Sequence, residues 1–251
     1  MRYEPLPTMS ASPSRRLLLL LPLTCLATLL GAQRPFVTVW KTDNPGTSNA
    51  TSITIPTGGG YFNYDVDWEN DGVYDDFGVA GTITHDYGAA GTYTVAIRGN
   101  FPWIRFSGGG DKGKILDIVQ WGDIGWTSLK GAFSGCSNLT ISAMDAPDLS
   151  GVTDLSDTFY DCRSLDADIN HWDVSNVTRM DGLFANASLF NSPLDNWDVR
   201  KVEQFNRMFS RTPSTGTSAP GNPRARSICK ACSARRKPST SRSEGGIYPW
   251  W

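Results

Sequence analysis

The chain has 251 residues, 39% of them hydrophobic, with Gly, Asn, Asp, Thr and Trp prominent in its middle; that mixture favours strands and tight turns over long helices. The formal net charge of −2 hides an asymmetry: residues 34–210 carry 12 Lys and Arg against 23 Asp and Glu, whereas residues 211–251 carry 8 against one. So acidic a body argues against nucleic acid as its partner, because that binding requires neutralising phosphate charge.

Residues 1–33 read as a secretory signal peptide. Arg15 and Arg16 precede an apolar run from Leu17 to Leu30, which ends in the small residues Gly31 and Ala32. A basic start, a short apolar stretch and small residues before a cleavage point are the marks of export. The run is shorter than the roughly 20 residues a membrane helix needs, so no stable span is expected after cleavage. Of the five cysteines, Cys25 would leave with the signal, and Cys229 and Cys232 fall in the basic tail. Only Cys136 and Cys162 then remain in the body, too few for a disulfide framework.

Residues 34–105 show short segments of strand character: Phe36–Trp40, Ser52–Ile55, Tyr61–Trp68, Gly81–His85 and Thr92–Arg98. Turn clusters such as Asp43-Asn44-Pro45-Gly46 and Gly58-Gly59-Gly60 separate them. Regular short strands with Gly and Pro punctuation predict an all-β sandwich. Tyr64-Asp65-Val66-Asp67-Trp68, Asp71-Gly72, Ile83-Thr84-His85-Asp86-Tyr87 and Gly91-Thr92-Tyr93-Thr94-Val95 resemble a PKD-type domain over about 45 residues. That resemblance implies an immunoglobulin-like β-sandwich of an extracellular protein. The sequence departs from the family in its longer acidic turn, Glu69–Asp76.

That turn has two readings. Asp67, Glu69, Asp71 and Asp75, with Gly72 and the Val73 carbonyl, follow the first nine positions of a calcium loop. The twelfth position, where a bidentate acid belongs, is Gly78, and no helices flank the loop. The missing acid favours a solvated, turn-forming loop over a calcium site. Residues 106–114, with Gly108-Gly109-Gly110, read as a linker.

Residues 115–210 are periodic. Phe133, Phe159, Phe184 and Phe209 recur at intervals of 26, 25 and 25, and Leu129, Leu155, Met180 and Phe205 keep the same intervals four residues earlier. Val152, Val177 and Val202 share the period, as do Trp172 and Trp197. Val177, Met180 and Phe184 stand at i, i+3 and i+7, which predicts an apolar stripe on a two-turn helix capped by Ser175 or Asn176. One such unit buries too little surface alone, so the units must stack into a solenoid. Trp172–Met180 and the looser copy Trp197–Phe209 resemble the BspA-like leucine-rich-repeat bacterial surface proteins, the 26-residue surface repeat family. About 85 residues carry the likeness. It implies display at a cell surface and adhesion, and it supplies no catalytic residue. Cys136 and Cys162 hold equivalent places one repeat apart, within reach of a disulfide, but the equivalent Ala187 favours a column of small buried side chains.

After Ser210 the repeat gives way to Arg, Ser, Pro and Thr, a composition that predicts a disordered tail over 211–251. Yet Pro213-Ser214-Thr215 returns as Pro238-Ser239-Thr240, 25 residues later. A tail has no reason to keep the repeat period, so a frameshift near Arg211 is expected, with Cys229 and Cys232 an accident of translation. Nothing suggests catalysis. The two histidines, His85 and His171, form no nucleophile or acid–base constellation, no Gly-rich loop cradles phosphate, and the acids of the 67–75 turn are not set across a cleft as glycoside hydrolysis requires. No cofactor is expected unless calcium. The function these features suggest is a secreted or cell-surface adhesion protein that binds extracellular protein or glycan through its repeats. A structural stalk without a ligand site stands second, and an extracellular polysaccharide-degrading enzyme third.

Overall fold

β-Branched and aromatic residues make the first strand, β1 (Phe36–Lys41), which buries Phe36 and Trp40 completely. It lies antiparallel to both β6 (Thr92–Asn100) and β7 (Ile115–Gln120), with Phe36 opposite Ile97 and Trp40 opposite Tyr93 on the β6 side. The computed structural model describes residues 33–212. The expected signal segment, apart from Gln33, and the expected frameshifted tail from residue 213 onward lie outside them. With β3 (Asn63–Asp67), β4 (Asp76–Val79) and β8 (Thr140–Ile141), the main sheet has the order β4-β3-β6-β1-β7-β8. A second sheet pairs β2 (Ser52–Ile55) with β5 (Ile83–Asp86). The described part is mainly β and contains no α-helix.

The expected strands of residues 34–105 are present with ends moved by one or two residues, and one strand was not expected. β4 reads Asp-Phe-Gly-Val, without apolar alternation, and it sits at the sheet edge with Phe77 exposed. Its pairing with β3 comes from backbone position rather than from a buried face.

Residues 106–114 do not hang free as a linker. Phe106, Asp111 and Lys114 are buried. The Asp111 carboxylate accepts the N–H groups of Thr47, Ser48 and Thr54 at 2.7–2.9 Å and the Ser48 hydroxyl at 2.6 Å. The Lys114 ammonium donates to the same Ser48 hydroxyl and to the carbonyls of Ser48, Asn49 and Ser52. Two charges sunk this deep are tolerable only with such a full set of partners. β7 follows at once and joins the main sheet beside β1, so one sheet and one core run through both regions. Aromatic rings fill the junction: Phe36 lies 5.6 Å from Trp121 and 5.2 Å from Trp126, and Trp121 meets Trp172 edge-on at 5.3 Å.

After β7 the chain winds in four successive coils, the first of which includes β8. Phe133, Phe159, Phe184 and Phe209 stack with ring centroids 5.8, 5.9 and 5.7 Å apart. Trp172 leans on Phe159 and Trp197 on Phe184, each at 6.1 Å. The apolar positions of the repeat are therefore core, as their period implied. The two-turn helix is not there. Each coil instead holds two residues, four apart, at positive φ: Gly131 and Gly135, Asp157 and Asp161, Gly182 and Asn186, Arg207 and Arg211. A right-handed helix cannot pass through such positions. Alternate N–H groups turn out of the coil to the next one. Phe133 donates to Thr158 O, Phe159 to Leu183 O and Phe184 to Met208 O, at 2.9–3.0 Å, and flanking residues repeat the pattern, as in Asp157 to Asp181 O and Gly182 to Asn206 O. The intervening N–H groups close short turns within the coil, as Thr158 does to Leu155 O and Cys162 to Phe159 O. Val177, Met180 and Phe184 still share a face, because a chain of tight turns brings i, i+3 and i+7 inward much as a helix would.

Candidate functional site: the ladder face and the acidic turn

The acidic turn is built by the end of β3. Asp67 is buried there, and its carboxylate accepts the N–H groups of Asp71 (3.2 Å) and Gly72 (2.8 Å). The turn passes through positive φ at Asn70 and Gly72. Asp75 accepts the Trp68 N–H at 3.1 Å, and Asp76 accepts the Trp68 indole N–H at 2.8 Å. Of the four acids proposed as calcium ligands, Asp67, Glu69 and Asp75 bring carboxylate oxygens within 4.8 Å of one another. Asp71 does not join them; it accepts the Val73 N–H at 2.8 Å. Gly78, at the position where a twelfth ligand would stand, donates its N–H to Asp65. Glu69 and Asp75 are exposed, and the Glu69 carboxyl is pushed above the ordinary range by burial and then by Asp75. As arranged, Asp67, Asp71 and Asp75 serve the turn as acceptors of backbone N–H groups.

The second candidate is the outer surface of the coil ladder, a shallow polar groove of about 840 Å³. Tyr160, Arg179, Asp181, Gln204 and Asn206 are among its walls. Its charges alternate from coil to coil. Asp154 lies 3.5 Å from Lys130 and 4.0 Å from Arg179, which in turn is 3.6 Å from Asp181. Asp181 also accepts the backbone and side-chain N–H groups of Asn206 at 2.9 and 2.6 Å. Burial pushes the Asp154 carboxyl up, but the hydrogen bonds from Ser156, with Lys130 and Arg179 nearby, outweigh it and hold the group below the usual carboxylate range. Asp157 goes the other way: burial, with Asp181 and Asp154 close, outweighs Arg207 and Lys130 and raises it. Sequence reading missed this face because it looked for apolar positions. The signal was there in the 25-residue spacing of Asp154, Arg179 and Gln204, which form a row of parallel backbone bridges.

The remaining candidates have structural surroundings. Cys136 and Cys162 are free and buried, the Cys162 thiol donates to the Phe133 carbonyl, and burial pushes both thiols up. His85 stacks on Trp68 at 4.5 Å, and His171 lies at the surface, 3.3 Å from the Asp145 carbonyl oxygen. No helix among the described residues is long and apolar enough to cross a membrane.

Residues 127–219 match a family described as "Mycoplasma protein of unknown function, DUF285". The match begins with the first coil and leaves out the sheet region before it. No curated protein and no solved structure matches the chain.

Proposed function

We propose that this is an exported interaction protein, an immunoglobulin-like sandwich continued by a leucine-rich-repeat-like solenoid. It acts at the cell surface or in the surrounding medium and binds an extracellular protein or glycan on the ladder face. One observation supports this above the others: the coils repeat their outward side chains in register, so Asp154, Arg179 and Gln204 run as one row across adjacent coils. A surface of this kind grows with coil number and suits an extended ligand rather than a small molecule in a closed pocket. Tyr160, 40% exposed beside charged and amide groups, supplies the aromatic contact that such interfaces favour. No calcium enters this reading, since three of the four acids in the 67–75 turn already accept backbone N–H groups.

The test is binding of the full chain to arrayed extracellular proteins and glycans, beside the Tyr160→Ala and Arg179→Glu variants. The expected result is a defined ligand whose affinity falls about tenfold or more in either variant, with unchanged melting temperature. Absence of any ligand would leave the spacer reading in its stead. Release of reducing sugar from a polysaccharide would make the protein an enzyme and overturn the proposal.

A further inference from the structure

The coil array has two unlike ends. At its beginning the outward carbonyls of Gly131, Ala132 and Ser134 accept the N–H groups of Ser107, Phe106 and Gly108 at 2.9–3.0 Å, so the preceding segment covers that end. At the other end stands the fourth coil. Met180, Gly182, Phe184 and Asn186 of the third coil donate to its carbonyls at Gln204, Asn206, Met208 and Ser210. The equivalent donors one period on are the N–H groups of Phe205, Arg207, Phe209 and Arg211. Among the described residues no carbonyl receives them. One acceptor flanks the row, the Glu203 carbonyl, whose counterpart at Thr178 receives Glu203 and Gln204. The apolar layer opens at the same place. Phe159 and Phe184 are buried, whereas Phe205 and Phe209 are only partly so.

We propose that this end is a docking edge for a further coil of the same repeat, carried by another polypeptide. A row of alternate N–H groups without protein acceptors is, like the open edge of a sheet, a template for pairing with another chain. A coil of this repeat presents four carbonyls at the matching spacing and an aromatic ring at the height of the next layer. Two other occupants fit poorly. A second copy of the chain meeting edge to edge would set N–H row against N–H row, and meeting head to tail it would find the carbonyl end already covered by residues 106–108. In the chain's own sequence the residues one period after Phe205, Met208 and Phe209 are Lys230, Ser233 and Ala234, which carry no ring or large apolar side chain to match. The inference depends on the coil geometry and not on any ligand of the ladder face.

The probe is a synthetic peptide copying residues 188–212, added to the full chain and read by residue-resolved amide hydrogen exchange. In the free chain the amides of Phe205, Arg207, Phe209 and Arg211 should exchange far faster than those of Met180, Gly182, Phe184 and Asn186. With saturating peptide, those four amides should slow about tenfold or more, since protection follows pairing. A peptide carrying Asp at the two positions that copy Met208 and Phe209 should have no effect. Phe209→Asp in the chain should abolish the protection while the third-coil amides stay slow, which shows that the variant is folded. Equal protection by both peptides overturns the proposal, as does the lack of any effect from the first. Protection already present in the free chain also overturns it, because the edge would then be occupied by the chain itself or by a second copy.

Discussion

The sheet region and the coil array reach the same end, a continuous buried core, by opposite means. In the sheets each contact is made once: Phe36 against Trp121 and Trp126, Asp111 beneath Ser48, His85 on Trp68. In the array one contact is made repeatedly, Phe on Phe at 5.7–5.9 Å with equivalent hydrogen bonds that each span 24 or 25 residues. A unique contact fails alone. A repeated one fails in proportion to its neighbours, so position within the array, rather than residue type, should set the size of a mutational effect.

The largest effect should test that directly. Phe159→Ala, between two stacked rings, should cost about 3–5 kcal/mol, read from the midpoint of denaturant unfolding. Phe209→Ala, on the last and partly exposed layer, should cost about a third of that or less. Equal losses would mean that the array does not grade toward its end.

Next is the unique polar contact. Asp111→Asn should cost about 2–3 kcal/mol, since it weakens a buried charge network whose other members remain. Burial alone would raise this carboxyl, but the hydrogen bonds from Ser48 and Thr54 and the nearby Lys114 hold it below its ordinary value of 3.8. With the folded value lowered, the carboxylate adds stability above the unfolded value and loses it as pH falls through the folded one. The difference between native chain and variant should therefore shrink below about pH 4.

Backbone effects come third and should have opposite signs. Gly182→Ala should destabilise by about 1–2 kcal/mol, because φ is +62° and an added Cβ would meet Asp157 Oδ1 at 2.2 Å. Asp161→Gly should be neutral or stabilising by up to about 1 kcal/mol, because it relieves a left-handed residue whose pairing with exposed Arg163 adds little. The smallest effect belongs to the acidic turn. Glu69 has its carboxyl raised by burial and by Asp75, so its contribution is present at low pH and lost as pH rises through the folded value. Glu69→Gln should give a slight gain in melting temperature at neutral pH and none at acid pH.

Much of this was legible in the sequence. The spacing of Phe133, Phe159, Phe184 and Phe209 disclosed the stack, and the short strand-forming segments Phe36–Trp40 and Thr92–Arg98, the second alternating apolar and polar residues, disclosed the strands. The helix was misread because an inward stripe at i, i+3 and i+7 is common to helices and to chained turns. The residues that decide between them are Gly, Asp, Gly and Arg at one left-handed position and Gly, Asp, Asn and Arg at the other. No single residue type marks those positions, so the pattern is invisible in any one coil. Asp111 and Lys114 were hidden by their glycine-rich setting, because the donors and acceptors that justify their burial lie about 60 residues earlier. In the acidic turn Asp67, Glu69 and Asp75 lie close together, but their spacing could not show that Asp71 folds back on Val73.

The central claim is that hydrogen bonding between coils replaces helix within them. It is tested most directly by through-hydrogen-bond scalar coupling in the isotope-labelled chain, from the Phe159 amide nitrogen to a carbonyl carbon. Coupling to Leu183, in the next coil, is the result the structure predicts. Coupling to Leu155, four residues back as in an α-helix, would contradict it.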